Sequence, residues 1–190
     1  MNATEQQEQR QEWYWSQEEK QAWADGEWMN EPDKIQWSDR MTGMPCLIVR
    51  NIISGGLCGY VGVNETHPLF GVHHERVGRL VSTRWAITYS SLCQEGNPPG
   101  KGICHIPQPG EPDRVWWFGF APDTWTDISP LLYPTMFDRH PLNKYLAQTL
   151  HEENAGYRNI QTVEAAVREL CIQIAAMKDT PTLRCCLPLK

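Results

Sequence analysis

Between Cys46 and Val63 the chain is apolar twice, as Cys46-Leu-Ile-Val-Arg-Asn-Ile-Ile53 and Leu57-Cys-Gly-Tyr-Val-Gly-Val63, around a Ser54-Gly55-Gly56 turn. β-Branched and aromatic residues flanking a glycine turn predict a β-hairpin. Two strands cannot cover their own apolar faces in water, so this hairpin has to sit inside a larger sheet with something packed on it.

The rest of the chain supplies both. Arg79–Ser90 and Arg114–Phe120 are rich in β-branched and aromatic residues and predict a third and a fourth strand. Asn64–Arg76 reads as a loop closed by Pro68 and Gly71, and Gly96-Asn-Pro-Pro-Gly100 keeps 94–112 out of regular structure. Ile160, Val163, Val167, Leu170 and Ile174 recur at three and four residues behind a candidate N-cap, Asn159, which predicts an amphipathic helix. The expected fold is a single α+β domain over residues 41–178, an antiparallel sheet of about four strands covered by this C-terminal helix. Residues 122–156 read as a long insertion with one short helix near Asn143–Glu152, and 179–190 as a tail.

The net charge of −6 is concentrated at the start. Residues 1–40 carry ten acids against four bases, and the remainder balances. Residues 3–24 are rich in Gln, Glu and Ala, good helix formers, so 1–40 is expected to be an acidic, largely helical arm bearing Trp13, Trp15, Trp23 and Trp28. The tryptophans do not share one helical stripe, so the arm either packs on its own domain or docks on a partner through them. Phosphate neutralisation needs clustered Lys and Arg, so nucleic acid is not an expected partner.

A stretch of roughly 18 apolar residues, as a bilayer span requires, is absent, and Met1–Arg10 does not resemble an export signal. The seven cysteines (46, 58, 93, 104, 171, 185 and 186) are odd in number and irregularly spaced, which argues against a disulfide framework and for a reducing compartment. The chain is therefore expected in the cytoplasm, with no membrane partner; homo-oligomerisation stays open.

Motifs for known chemistries fail individually. Gly96–Gly102 has the wrong spacing for a phosphate loop, no Ser or Thr after Lys101, and two prolines where amide donors are needed. Gly56, Gly59 and Gly62 miss the dinucleotide fingerprint, and no Gly-x-Ser-x-Gly elbow is present. No cofactor is expected. His67, His73, His74 and Glu75 fall within nine residues, which with Asp127 gives a metal-assisted hydrolase as an alternative, although neighbouring histidines are an awkward ligand pair. In Trp116-Trp-Phe-Gly-Phe120 alternation separates Trp116, Phe118 and Phe120 from Trp117. Trp117 either belongs to the core or, with Tyr89 and Arg84, lines an aromatic and cationic surface for a planar ligand.

Taken in order, Pro45-Cys-Leu-Ile48, Leu57-Cys-Gly-Tyr-Val-Gly-Val63, His67-Pro-Leu-Phe-Gly71, Ile87-Thr-Tyr89, Trp116-Trp-Phe-Gly-Phe120, Asp127 with Pro130, and Tyr157-Arg-Asn-Ile160 resemble a group of small proteins encoded by bacteriophages and prophages. The resemblance covers about 45–177. In that group a His-Gly-Gly precedes a Leu-Thr-Tyr, and an Asp-Cys-x-His follows the Trp-Trp-Phe-Gly-Phe block. Here Arg84-Trp-Ala86 and Ala121-Pro-Asp-Thr124 stand in those places, and only Asp127 is kept. The resemblance implies a viral protein acting in the host cytoplasm, and the departures favour binding over catalysis. The expectation is a binding protein, possessing a ligand site of His67, Arg84, Tyr89, Trp117 and Asp127, that captures a host small molecule of nucleotide type or blocks a host protein, in a counter-defence role. A structural role in virion assembly is the other alternative.

Overall fold

The apolar hairpin lies in the middle of an antiparallel sheet. The computed structural model describes residues 9–94, 96–131 and 155–178. Among these residues the strands are β1 (Arg10–Trp13), β2 (Lys34–Ser38), β3 (Pro45–Arg50), β4 (Leu57–Asn64), β5 (Ile87–Leu92) and β6 (Val115–Phe120). They form one sheet in the order β1-β2-β3-β4-β6-β5, all neighbours antiparallel. A four-residue helix α1 (His74–Val77) precedes β5, and the long helix α2 (Ile160–Ala176) closes the described chain.

Alternation divides the central strands between two apolar layers. Cys46 and Ile48 of β3, Val61 and Val63 of β4, and Phe118 and Phe120 of β6 point toward α2, where Ile160, Val163, Val167, Leu170, Cys171 and Ile174 meet them. Leu47, Val49, Cys58, Tyr60, Val115 and Trp117 point the other way, under the loop that carries Ile103. Each fully buried Leu, Ile, Val or Phe contributes roughly 1.5–3 kcal/mol before entropy is counted, so covering both faces makes β3 and β4 the centre of stability. The glycines of β4 allow the close packing: a Cβ on Gly59 would sit 2.6 Å from Val167 Cγ2 and 2.5 Å from Phe120 Cζ. Asn159 caps α2 as expected, its Oδ1 accepting from the Thr162 N–H at 3.1 Å.

Three expectations are corrected. The sheet has six strands, because β1 and β2 from the acidic segment extend it beyond β3. The predicted helix over 3–24 is not formed in its described part: Arg10–Trp13 is a strand, with Trp13 opposite Lys34 and Arg10 opposite Trp37, and 17–22 is a series of turns. Helix propensity is a weak preference, and here the backbone bonds to β2 and an ion pair from Arg10 to Glu164 of α2 at 2.8 Å outweigh it. The β2 signal was a five-residue alternation, Lys-Ile-Gln-Trp-Ser, inside what reads as an acidic arm. Thirdly, Cys93 and Cys104 form a disulfide, their Cα atoms 4.6 Å apart. Their pairing follows from the 94–103 loop turning back on itself, with the Gln94 N–H donating to the Ile103 carbonyl at 3.2 Å. The third strand also begins later than predicted, at Ile87, and the expected helix near Asn143–Glu152 and the tail lie outside the described residues.

Candidate functional site

On the face opposite α2 the 94–103 loop stands away from the sheet and leaves a cavity of about 380 Å³. Its floor is Val49, Cys58 and Tyr60; one wall is Gln94, Asn97, Lys101 and Ile103; the other is Trp15 with Asn51, Ile52 and Ile53 of the β3–β4 turn. The position of every wall follows from local bonding. Trp15 donates Nε1–H to the Gly100 carbonyl at 3.1 Å and its backbone N–H to Asp33 Oδ2 at 2.7 Å. Lys101 lies 5.6 Å from the Trp15 ring and pairs with Glu19.

The loop is held down from beneath. Lys34, on β2 and 1% exposed, donates Nζ to the carbonyls of Pro99 at 2.7 Å and Cys104 at 2.6 Å. Burial pushes its ammonium down to about 8. With the Cys93–Cys104 bond, this fixes both ends of the loop.

Under Trp15 lies a group of charges removed from water. Asp33 accepts from Arg50 Nε at 2.6 Å through Oδ1 and pairs with Lys20 Nζ at 2.7 Å through Oδ2. Arg50 also donates to the Gly55 carbonyl at 2.8 Å, to the Tyr157 hydroxyl at 2.8 Å, and to Glu31. Tyr157 in turn donates to Glu31 at 2.5 Å, and burial pushes its hydroxyl well up. Asp33, Lys20, Lys34 and Arg50 were not singled out by sequence reasoning. The available signal was a charged residue at an otherwise apolar strand position, as with Arg50 in Cys46–Ile53.

The structure distributes the sequence-predicted site residues over both sides of the sheet. Trp117 is fully buried in the layer opposite α2, with His105 edge-on at 5.5 Å, and Tyr89 packs edge-on against Tyr60 at 5.6 Å in the same layer. Arg84 is exposed and lies over Trp85 at 5.0 Å. Asp127 sits on the α2 side, where it accepts from Trp85 Nε1 at 2.8 Å, Thr124 Oγ1 at 2.6 Å and Arg158 Nε at 2.5 Å. Burial alone would raise its carboxyl, but these bonds outweigh that and hold it below the usual range. His67 is buried beside Leu69, whose N–H it accepts at Nδ1, and burial lowers its pKa. Tyr89 and Trp117 thus share a face that Asp127 and His67 do not. Of the tryptophans proposed for a partner, Trp23 and Trp28 are buried in their own chain, and Trp13 and Trp15 are half-buried.

Burial pushes the Cys58 thiol up to about 11, so at neutral pH it lines the cavity as a weakly polar group and not as a thiolate. Ligand-type atoms do converge elsewhere: His73, His74 and Glu75 each bring one within 4.8 Å of the other two, and neither His67 nor Asp127 belongs to that group. Comparison with known proteins finds no matching family model, no matching curated relative and no matching solved structure.

Proposed function

We propose that this chain is a binding protein of phage or prophage origin, which captures a small, flat host molecule of nucleotide type in the cavity beneath the 94–103 loop. The observation that carries this reading is the composition and size of that cavity. About 380 Å³ lies within the range of small-molecule sites. Trp15 and Tyr60 offer aromatic surface for a planar ring, Asn51, Gln94 and Asn97 offer amide donors and acceptors for its edge, and Lys101, which pairs with Glu19, offers a cation that an anionic group would share with that carboxylate. The walls are set by a disulfide, a buried ammonium and a buried carboxylate, which lowers the ordering cost of binding.

Blocking a host protein is the second reading. Ile52 and Ile53, 65% and 75% exposed at the cavity rim, favour it.

The test is calorimetric titration of the purified protein with mono-, di- and cyclic nucleotides, beside Trp15→Ala and Lys101→Ala variants. The expected result is saturable one-to-one binding by at least one nucleotide, weakened about tenfold or more by either substitution. No saturable heat with any nucleotide removes the capture reading. Binding that is unchanged in both variants removes this cavity as its seat.

A further inference from the structure

The change of backbone at the start of α1 brings two consecutive histidines to the same side. His73 is the N-cap, with extended φ −69° and ψ 142°, and His74 is the first helical residue. In a continuous strand their side chains would point to opposite faces. Across this extended-to-helical junction their rings instead lie 4.0 Å apart, tilted by 35°. Glu75 follows at the next helical position and adds a carboxylate, so that one ligand-type atom from each of the three lies within 4.8 Å of the others.

We propose that His73, His74 and Glu75 form a surface site for one divalent transition-metal ion of the zinc or nickel kind. The two imidazoles and the carboxylate are its protein ligands, and water or solute oxygens complete its shell. Metal–nitrogen and metal–oxygen bonds of roughly 2.0–2.2 Å place two ligands of a tetrahedral shell about 3.3–3.6 Å apart. The three atoms, within 4.8 Å of one another, must close by about an ångström to share an ion, a movement open to side chains that are exposed or half-buried. Imidazole with carboxylate is a donor set that suits zinc and nickel over calcium or magnesium.

The surroundings already orient one ligand. Ser90 of β5 accepts from the His74 backbone N–H at 2.9 Å and stands 3.4 Å from its Nδ1, an outer partner of the sort that fixes a ligating ring. Val77, fully buried, pins the short helix to the sheet. Glu75 also borders an open cleft lined by Gly78, Ser82, Thr83 and Ile87, so its carboxylate is accessible from solvent. This site is separate from the cavity assigned to the small-molecule ligand, and neither reading depends on the other.

Equilibrium dialysis of the full chain against zinc alone, with the metal measured by elemental analysis, tests the proposal. The expected result is one ion per chain, with affinity reduced about tenfold or more in His73→Ala and in His74→Ala and also reduced in Glu75→Gln, a near-isosteric change at an exposed position. Cobalt loaded in place of zinc is expected to give visible ligand-field bands without the thiolate charge-transfer band that cysteine ligation would add. No stoichiometric uptake, uptake unchanged in the histidine variants, or a thiolate band would each overturn the proposal. Far-ultraviolet circular dichroism of each variant establishes that it folds, and Glu75→Gln remains decisive where a histidine variant does not.

Discussion

Asp33 and Arg50 are joined twice: Oδ1 of Asp33 accepts from Arg50 Nε at 2.6 Å, and the Asp33 carbonyl accepts from the Arg50 backbone N–H at 2.7 Å. Both side chains are fully buried, and Lys20 Nζ reaches the second carboxylate oxygen at 2.7 Å. One carboxylate therefore ties the N-terminal segment to the central strand β3. A buried pair of this kind adds little net stability compared with a well-packed apolar replacement, yet breaking it is expensive because the remaining charge is left without a partner.

Asp33→Asn should accordingly destabilise the protein by about 3–5 kcal/mol in urea denaturation at neutral pH. Arg50→Met should also destabilise it, and the double variant should lose less than the two single losses together, because it removes both members of the pair. A loss under about 1 kcal/mol for Asp33→Asn would contradict the ion-pair network.

Stability should respond to pH through Lys34. Its folded ammonium titrates at about 8, whereas an unfolded lysine keeps its proton to about 10.4. Between those values the unfolded chain holds more protons, so this contribution rises with pH. Cys58 acts in the opposite sense: its folded thiol, raised to about 11, keeps a proton that the unfolded thiol has lost, and that contribution falls as pH rises toward 11. The measurement is therefore the stability of wild type minus that of Lys34→Met as pH is raised. The difference should climb above pH 8, and a flat difference would contradict the buried ammonium.

Reduction of the Cys93–Cys104 bond should lower stability by about 2–3 kcal/mol, the chain-entropy effect of opening a short loop. A Cys93→Ala/Cys104→Ala variant should be unresponsive to reductant in the same denaturation experiment. Equal sensitivity in that variant would place the effect elsewhere.

Gly59→Ala should cost about 1–3 kcal/mol, because the new methyl meets Val167 Cγ2 and Phe120 Cζ within 2.6 Å. Gly59→Val should be worse. A thermal melt of each variant would show it, and an alanine variant as stable as wild type would mean that α2 sits farther from the sheet.

The hairpin of β3 and β4, strand β6, and α2 with its Asn159 cap were legible because their patterns are local: runs of apolar residues around a glycine turn, and a helical repeat behind a capping side chain. β1 was not, since Arg-Gln-Glu-Trp has no apolar alternation and becomes a strand only because β2 offers it backbone partners. The candidate site was still less visible. Trp15, Tyr60, Gln94 and Lys101 are scattered through the chain, and no spacing among them predicts a shared cavity.

By itself the sequence determined the α+β class, the central hairpin and the helix that covers one face of the sheet, because side-chain period and turn chemistry act over a few residues. Only the tertiary structure decided that the acidic segment joins the sheet, that Cys93 meets Cys104, and that His73 and His74 face the same way. Those outcomes depend on contacts between distant residues or on a single change of backbone torsion, and neither leaves a periodic trace in the chain.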